Sequence, residues 1–146
     1  MDKKDEQILE ILNENSHLTT RQIAKKTHIP ITTVHHRIKK LVNEGIIKQY
    51  TIDIDYKKIN KAIGAYILIK VDSSTLIDLK IDQHQIAKKI LSLENVELAD
   101  IVTGETDIIL KVRMKDIDEL DNFIIKTLRK IDGIESSKTM IILHEN

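Results

Sequence analysis

Residues 27–40 read THIPITTVHHRIKK, and they include Pro30, the only proline of the chain. Within this stretch and directly after it, apolar residues recur at the three- and four-residue spacing of a helix: Ile31, Val34, Ile38 and Leu41. At about 100° per residue these residues share one side of a helix, and polar or basic residues take the other side. The spacing predicts an amphipathic helix over residues 31–43 that ends before Gly45.

Two further short helices precede this one. The segment KKDEQILEILNEN (3–15) has helical spacing of apolar residues, and TTRQIAKKT (19–27) begins with Thr19 or Thr20 as N-cap. A turn, HIP (28–30), then leads into the last helix. Three short helices with a tight turn before the third predict a helix-turn-helix, whose third helix enters the DNA major groove.

The polar side of the third helix carries residue types that contact DNA. Short polar side chains near its start can reach base edges: Thr32, Thr33, His35 and His36. Arg37, Lys39 and Lys40 would meet phosphates, and Arg21 and Lys25 of the second helix would anchor the backbone from the other side.

Two other interpretations of the same helix compete with DNA binding. A basic helix face is commonly only a solvated face, which leaves the DNA interpretation dependent on the two preceding helices. A metal site at His35 and His36 is disfavoured, because adjacent helical residues point about 100° apart whereas two ligands on one face need a four-residue spacing.

Pro30 affects which threonine begins the helix. Proline suits a helix start sterically, but it has no side-chain acceptor for a cap. We therefore expect Thr32 or Thr33 to be the N-cap instead, which would move the start of the helix toward the C-terminus.

Composition bounds the class of protein. Hydrophobic residues make up 41% and charged residues 32%, which excludes wholesale disorder. The lack of cysteine excludes disulfides, thiolate zinc sites and cysteine nucleophiles.

There is no apolar run of about 18 residues and the N-terminus is charged, so we expect a cytoplasmic protein without a membrane partner. No phosphate-binding glycine loop or nucleophile–base pair is present, so we expect neither a cofactor nor an enzyme.

Charge is distributed unevenly along the chain. Residues 1–50 contain nine Lys/Arg and six Asp/Glu, a net charge of +3, whereas the remaining 96 residues carry −3 and the whole chain is neutral. This asymmetry is expected when only the N-terminal part meets a polyanion such as DNA.

The second half changes from helical to mixed periodicity. Strands are predicted at 62–71, 96–103, 107–114 and 134–143, and helices at 81–93 and 117–131. This β-α-β-β-α-β order is that of a ferredoxin-like fold, so the chain is of the α+β class. One face of such a sheet lacks helices, and we expect a second copy to cover it in a homodimer.

Smaller elements are also predicted. The segment IIKQYTIDIDY (46–56) alternates apolar and polar residues, as a strand or short hairpin does. The four glycines, Gly45, Gly64, Gly104 and Gly133, lie at predicted breaks and are interpreted as cap or turn residues.

Residues 2–55, together with the segment VELADIVTGETDIILKVRM (96–114), resemble the leucine-responsive and asparagine-synthetase regulators (Lrp/AsnC) of bacteria and archaea. The resemblance implies an archaeal-type transcriptional regulator with a winged helix-turn-helix at 1–47, a β-linker at 48–61 and a ferredoxin-like effector and oligomerisation domain at 62–146. It also implies binding to operator DNA as a homodimer, further assembly to an octamer, and an amino-acid effector.

The resemblance further implies an effector site near the Gly104 loop. Its residues would be Val102, Thr103, Gly104, Glu105, Asp107 and, on the last strand, Thr139. Gly104 could equally be only a hairpin turn, and Asp107 only a turn-capping carboxylate. The loop reads Gly-Glu-Thr-Asp-Ile where the family commonly has aromatic residues beside the aspartate, which changes the pocket.

Two other function classes compete with a transcriptional regulator. One is a tetrapyrrole (sirohaem) decarboxylase, which has the same two-domain architecture but needs arginine, histidine and aromatic clusters that this chain lacks. The other is an architectural DNA-binding protein with little sequence preference, against which the modest charge of +3 argues.

Overall fold

The structure is a computed structural model that describes residues 1–145, and it contains two compact units, Met1–Ile54 and the residues from Asp55 onward. None of the helices among the described residues has the length and apolar character needed to cross a membrane. The two units are described separately.

The first unit is a three-helix bundle. Helix α1 spans Lys3–Glu14, α2 spans Thr20–Thr27 and α3 spans Ile31–Asn43. Their apolar stripes form one small core: Ile8, Leu12, Ile23, Ile29, Val34 and Leu41. The predicted helix-turn-helix is confirmed, with α3 bounded at the predicted residues.

Helix α3 begins at Pro30 without a side-chain cap. Pro30 is the N-cap residue, and its carbonyl accepts a hydrogen bond from the Val34 N–H at 3.0 Å. The expectation that Thr32 or Thr33 caps the helix is therefore wrong. Because the proline carbonyl already accepts the first helical hydrogen bond, Ile31 is the first residue of the helix and its start does not move.

The segment after α3 contains no strand, so the strand or hairpin predicted at 46–56 is wrong. The N–H groups of Ile46 and Ile47 both donate to the Leu41 carbonyl, and the next regular element is a 3₁₀ turn at Tyr56–Ile59. A strand needs a partner for its ladder, and every regular element within residues 1–54 is a helix. Alternating apolar and polar residues therefore do not form a strand here, because no neighbouring strand pairs with them.

The second unit is a four-stranded antiparallel sheet with the predicted ferredoxin-like topology. Its strands follow the spatial order β2-β3-β1-β4. The elements are β1 (Ile63–Val71), α4 (Ser73–Leu79), α5 (Gln83–Leu91), β2 (Val96–Ile101), β3 (Ile108–Met114), α6 (Ile117–Asn122) and β4 (Ile134–Ile141). Residues from α5 and α6, such as Ile90 and Leu120, join the core formed by alternate strand residues such as Ile67 and Leu110.

Two helical elements differ from the prediction. Helix α4 was missed, because a seven-residue helix with two serines and a threonine has no clear apolar period. The helix predicted at 117–131 is divided into α6, a π-helical turn at Phe123–Thr127 and a 3₁₀ turn at Leu128–Lys130. The apolar pattern correctly identified the buried side, since Leu120, Phe123 and Leu128 are all buried, but it does not encode the hydrogen-bond spacing.

Gly64 lies inside β1, so its interpretation as a turn residue is wrong. A Cβ there would stand 2.7 Å from Nη1 of Arg113, a side chain that packs against this position. Arg113 is only 6% exposed. Its Nε donates to Glu97 at 2.9 Å and its guanidinium stacks 4.3 Å above the Tyr56 ring. A side chain at position 64 would therefore require the Arg113 guanidinium to shift from this place, and glycine lets it approach the strand closely.

The other three glycines have positive φ: +70° at Gly45, +124° at Gly104 and +92° at Gly133. Their interpretation as cap and turn residues is confirmed. Only Gly133 is also crowded, because a Cβ there would stand 2.8 Å from Ile86 Cδ1 and 3.0 Å from Leu76 Cδ2.

Gly133→Ala is expected to lower the free energy of unfolding by about 2–5 kcal/mol, from left-handed backbone strain of about 1–2 kcal/mol and overpacking of about 1–3 kcal/mol. Gly45→Ala is the matched control, because nothing lies within 4 Å of its Cβ position and only the strain remains. Equilibrium urea unfolding followed by circular dichroism measures both. Equal losses would show that packing at Gly133 is unimportant.

Candidate functional site

The polar side of α3 points away from the core. Thr32, His36 and Lys39 lie nearly opposite the buried Val34 and Leu41, and His35 lies beside them. All four of these polar side chains are exposed. The apolar stripe therefore holds α3 in the bundle, and the residues predicted to reach base edges or phosphates are left accessible.

A second surface of α3 faces the start of α1. Here a cleft of about 390 Å³, the α1-side cleft, is lined by Asp2, Thr33, His36, Arg37 and Lys40. The predicted DNA-contacting residues are thus divided between two surfaces of one helix. The sequence alone suggested a single polar side.

Arg37 joins α3 to the start of α1. Its Nη1 lies 2.7 Å and 2.8 Å from the two carboxylate oxygens of Asp2 and 2.7 Å from Asp5 Oδ1. Asp2 is also the N-cap of α1, where it accepts hydrogen bonds from the Lys4 and Asp5 N–H groups. Arg37 is therefore engaged within the protein, and we assign it a role in positioning α3.

The same contacts shift the acid–base properties of the two aspartates. The hydrogen bond from Arg37 holds the pKa of Asp2 below its usual value, with help from the Asp5 N–H. The pKa of Asp5 is lowered first by the hydrogen bond from the Asp2 N–H and then by Arg37. Both aspartates are therefore favoured as carboxylates beside the guanidinium.

Arg21 and Lys25 lie on the exposed side of α2, one turn apart. The turn that follows is made by His28, whose φ of +56° is left-handed, and by the buried Ile29. Both side chains are accessible, and their contact with the DNA backbone stays a prediction.

His35 and His36 lie edge to face with ring centroids 5.9 Å apart. Within residues 1–145, no three His, Asp or Glu side chains gather as a metal site would require.

The predicted effector loop connects β2 to β3. At its base, Asp107 donates its N–H to the Ile69 carbonyl, and its carboxylate accepts from the Val71 N–H, both at 2.9 Å. The second carboxylate oxygen accepts from Gln83 Nε2 at 3.4 Å. Asp107 thus anchors the loop to β1 and α5, and it leaves the tip exposed: Thr103, Gly104 and Glu105.

Thr139 is not brought together with this loop in one chain. It lies opposite Ile67 in the middle of β4, which is the edge strand at the far side of the sheet from β2.

A shallow cleft of about 330 Å³ next to the loop was not found from the sequence. Helix α5 and strand β2 form it, and its lining includes the polar side chains of His84, Lys88 and Asp100 and the apolar side chains of Leu91 and Ala99. The four-residue spacing of His84 and Lys88 on α5 was the only signal that could have indicated it.

The comparisons with known proteins agree with this geometry. Residues 1–48 match a winged helix-turn-helix DNA-binding model and residues 64–146 match the Lrp/AsnC ligand binding domain. An HTH-type transcriptional regulator of Pyrococcus abyssi is 40% identical over 141 residues, covering 97% of this chain and 91% of the relative. The chain belongs to the Lrp/AsnC family of transcriptional regulators.

Solved Lrp/AsnC structures share the complete architecture. AsnC of E. coli is 31% identical to this chain, with a TM-score of 0.81. The match covers 99% of this chain and 93% of the AsnC chain. A transcriptional regulator of Neisseria meningitidis, solved as an L-Met complex, is 25% identical with a TM-score of 0.88 over 99% of this chain and 91% of that one. Membership in this family favours regulation over the tetrapyrrole decarboxylase alternative, and the Pyrococcus relative agrees with the expected archaeal type.

Replacement of Arg37 tests its ion pairs in this Lrp/AsnC protein. Because the folded-state pKa values of Asp2 and Asp5 lie below those of the unfolded chain, their contribution to stability is present above about pH 4 and is lost as pH falls through the folded values. Arg37→Met should therefore melt well below the wild type at pH 7, and the difference should narrow below about pH 4.

Thermal unfolding between pH 2.5 and 7 measures this difference, with Lys39→Met as the control for removal of an exposed cation from the same helix. A difference that is the same at every pH would mean that Arg37 acts through packing and not through the carboxylates.

Proposed function

We propose that this protein binds a specific operator in double-stranded DNA, with α3 in the major groove. The observation that supports this most directly is the exposed polar surface of α3, set opposite a stripe that is fully buried at Val34. Threonine and histidine side chains of this surface suit base edges, and Lys39 and Lys40 suit phosphates. Arg21 and Lys25 of α2 extend the positive surface toward a neighbouring phosphate.

We also propose that the protein acts as a homodimer, and that dimers assemble further, up to an octamer. The face of the sheet opposite α5 and α6 carries Tyr66 and Met140, which are 36% and 43% exposed, directly opposite each other on β1 and β4. A second copy that covers this apolar surface would remove it from water. The segment at 48–61 then serves as the linker between the two functions.

A small molecule such as an amino acid is proposed as the effector, bound beside the Val102–Asp107 loop. In the cleft between α5 and β2, Lys88 can pair with a carboxylate, Asp100 with an ammonium group, and Leu91 and Ala99 contact an apolar side chain. The L-Met complex of the Neisseria regulator supports an amino acid as the ligand class. Its effect on transcription would follow from tighter binding to one assembly state.

Specific DNA binding predicts a large preference for the protein's own promoter region. Fluorescence anisotropy at fixed salt should give an affinity at least about 10³-fold higher for that DNA than for unrelated DNA. Arg21→Gln and Lys25→Gln should each weaken both affinities and reduce the salt slope by about one unit. Lys115→Gln, at an exposed cation of the second unit, is the control and should change neither. An affinity ratio near one would favour the architectural alternative.

The effector proposal predicts stabilisation by one of a panel of amino acids that includes L-Met. At 100 times its dissociation constant the ligand should raise the free energy of unfolding by about 2.7 kcal/mol, and sedimentation velocity should show a changed assembly. Lys88→Gln should abolish the response, whereas Lys89→Gln, its neighbour outside the cleft, should keep it. Gly104→Val should impair the response and leave the helix-turn-helix folded. If no amino acid acts, or if Lys88→Gln responds like the wild type, the site assignment is wrong.

A further inference from the structure

The sheet face that α5 and α6 do not cover, here called the open face, carries two cations at one end. Lys111 and Arg113 of β3 lie opposite Tyr66 and Gly64 of β1, respectively. Val112, between the two cations, is buried in the core that the helices cover. Because successive strand residues point to opposite faces of a sheet, both cations belong to the open face. They lie beside the Tyr66 that the proposed homodimer would cover.

Two carboxylates neutralise these cations. Glu97 accepts a hydrogen bond from Arg113 Nε at 2.9 Å, and it lies 3.6 Å from Lys111 Nζ. Glu145 accepts from Lys111 Nζ at 2.7 Å and also from Nη2 of Arg113. The four side chains form a group with two positive and two negative charges, here called the open-face charge cluster. Its net charge is zero only while both carboxylates are in place.

Glu145 reaches the cluster from the segment that follows β4, residues 142–145, here called the strap. The Ile142 N–H donates to the Gly64 carbonyl at 2.8 Å, which holds the start of the strap against β1. Because the strand order is β2-β3-β1-β4, the strap must cross β1 to bring Glu145 onto β3. That path is about two strand spacings, roughly 10 Å. The strap therefore lies over one end of the open face.

The cluster has limited access to water. Arg113 is buried, and the Lys111 side chain is 23% exposed. The Glu145 side chain is 42% exposed in one copy, so it marks the side on which water still reaches the group. The Arg113 guanidinium, followed by Lys111, holds the pKa of Glu145 at about 2. The carboxylate is therefore charged throughout the range near neutral pH.

The other charged residues of the open face lie toward the end that carries the β2–β3 loop. Lys70 pairs in register with Ser136, and Lys138 and Asp100 lie on the edge strands β4 and β2. All three charged side chains are exposed. A lysine at an edge can keep its ammonium group in water when its strand is covered. The buried Arg113 has no such route, so the balance of charge matters most within the cluster.

A second copy on the open face would close the remaining access of the cluster to water. In a two-fold homodimer the same patch is covered on both copies. Without Glu145 the cluster would keep Lys111 and Arg113 against Glu97 alone, a net charge of +1 on each copy. A single copy can solvate this extra charge through the exposed side of the cluster, but a covered one cannot, and an uncompensated charge in an interface is costly.

We propose that the strap makes the open face able to pair with a second copy, because Glu145 neutralises the two cations of β3. This inference rests on the proposed homodimer, and it adds a role for a segment outside the sheet. Glu145 acts through the charge balance of its own chain and does not need to touch the second copy.

Paired charge removals test this role in the full chain. Glu145→Gln leaves the cluster with a net charge of +1 and Lys111→Gln leaves it with −1, whereas the double variant is neutral again. Asp121→Asn is the matched control, because it removes one exposed carboxylate from α6, on the other side of the sheet. Sedimentation equilibrium over a dilution series gives the dissociation constant of the homodimer. Circular dichroism melts establish that each variant is folded.

Each single variant should raise the dissociation constant of the homodimer at least about tenfold, since burying an uncompensated charge costs more than about 1.4 kcal/mol. The double variant should return to within about threefold of the wild type, and Asp121→Asn should match it. A purely structural role of the strap would instead make the double variant at least as weak as the weaker single variant.

The outcomes separate the strap from the homodimer. If the wild type forms dimers but Glu145→Gln associates equally well, or if the double variant is not restored, the role of the strap is wrong and the homodimer stands. If the wild type stays monomeric at every concentration, the homodimer proposal fails and the role of the strap fails with it.

Discussion

The packing of α3 against the start of α1 depends on one terminal nitrogen of Arg37, whose two N–H bonds are shared among three carboxylate oxygens of Asp2 and Asp5. The Asp5 side chain is 4% exposed, and a buried carboxylate left without a partner is costly. The contact also uses the N-cap of α1, so it joins the end of one helix to the middle of another. This polar contact therefore helps to hold α3 against the start of α1. In the proposed DNA complex, the presentation of α3 would depend on a residue that does not itself need to touch DNA.

Asp107 has a comparable role in the second unit. Its backbone and carboxylate connect the loop after β2 to the end of β1 and to the start of α5. The base of the loop is thereby fixed, while Gly104 at the tip adopts a φ of +124° with open space around it. A fixed base with an accessible tip suits a loop that must present backbone groups to a ligand or to a neighbouring subunit. The carboxylate that the family resemblance marks for the ligand is thus already occupied by the chain's own donors.

The sequence predicted those features that depend on local periodicity. The bounds of α3 and the β-α-β-β-α-β order follow from the spacing of apolar residues, which is a short-range property. The Arg37 contact joins residues 35 positions apart and uses charge types that occur throughout the chain, so no pattern indicated it. The strand predicted at 46–56 is wrong for the opposite reason. The alternation of apolar and polar residues is a local pattern, whereas a strand forms only where a neighbouring strand can pair with it. The cleft beside the effector loop combines His84 of α5 with Asp100 of β2, and only the packed fold brings them together.

The modest charge of the first unit limits what one copy can do. With phosphate contacts at only a few cations such as Arg21 and Lys25, a single helix-turn-helix would release few counterions and bind non-specific DNA weakly. In the proposed homodimer, two linked copies would act on the same duplex at a high effective concentration, which would multiply affinity without new contacts and favour sites with correctly spaced halves. Occupancy of an operator would then depend more on assembly than on the contacts of one α3. The proposed effector, bound at the sheet-forming unit, could control transcription for this reason, because it would need only to alter how copies associate.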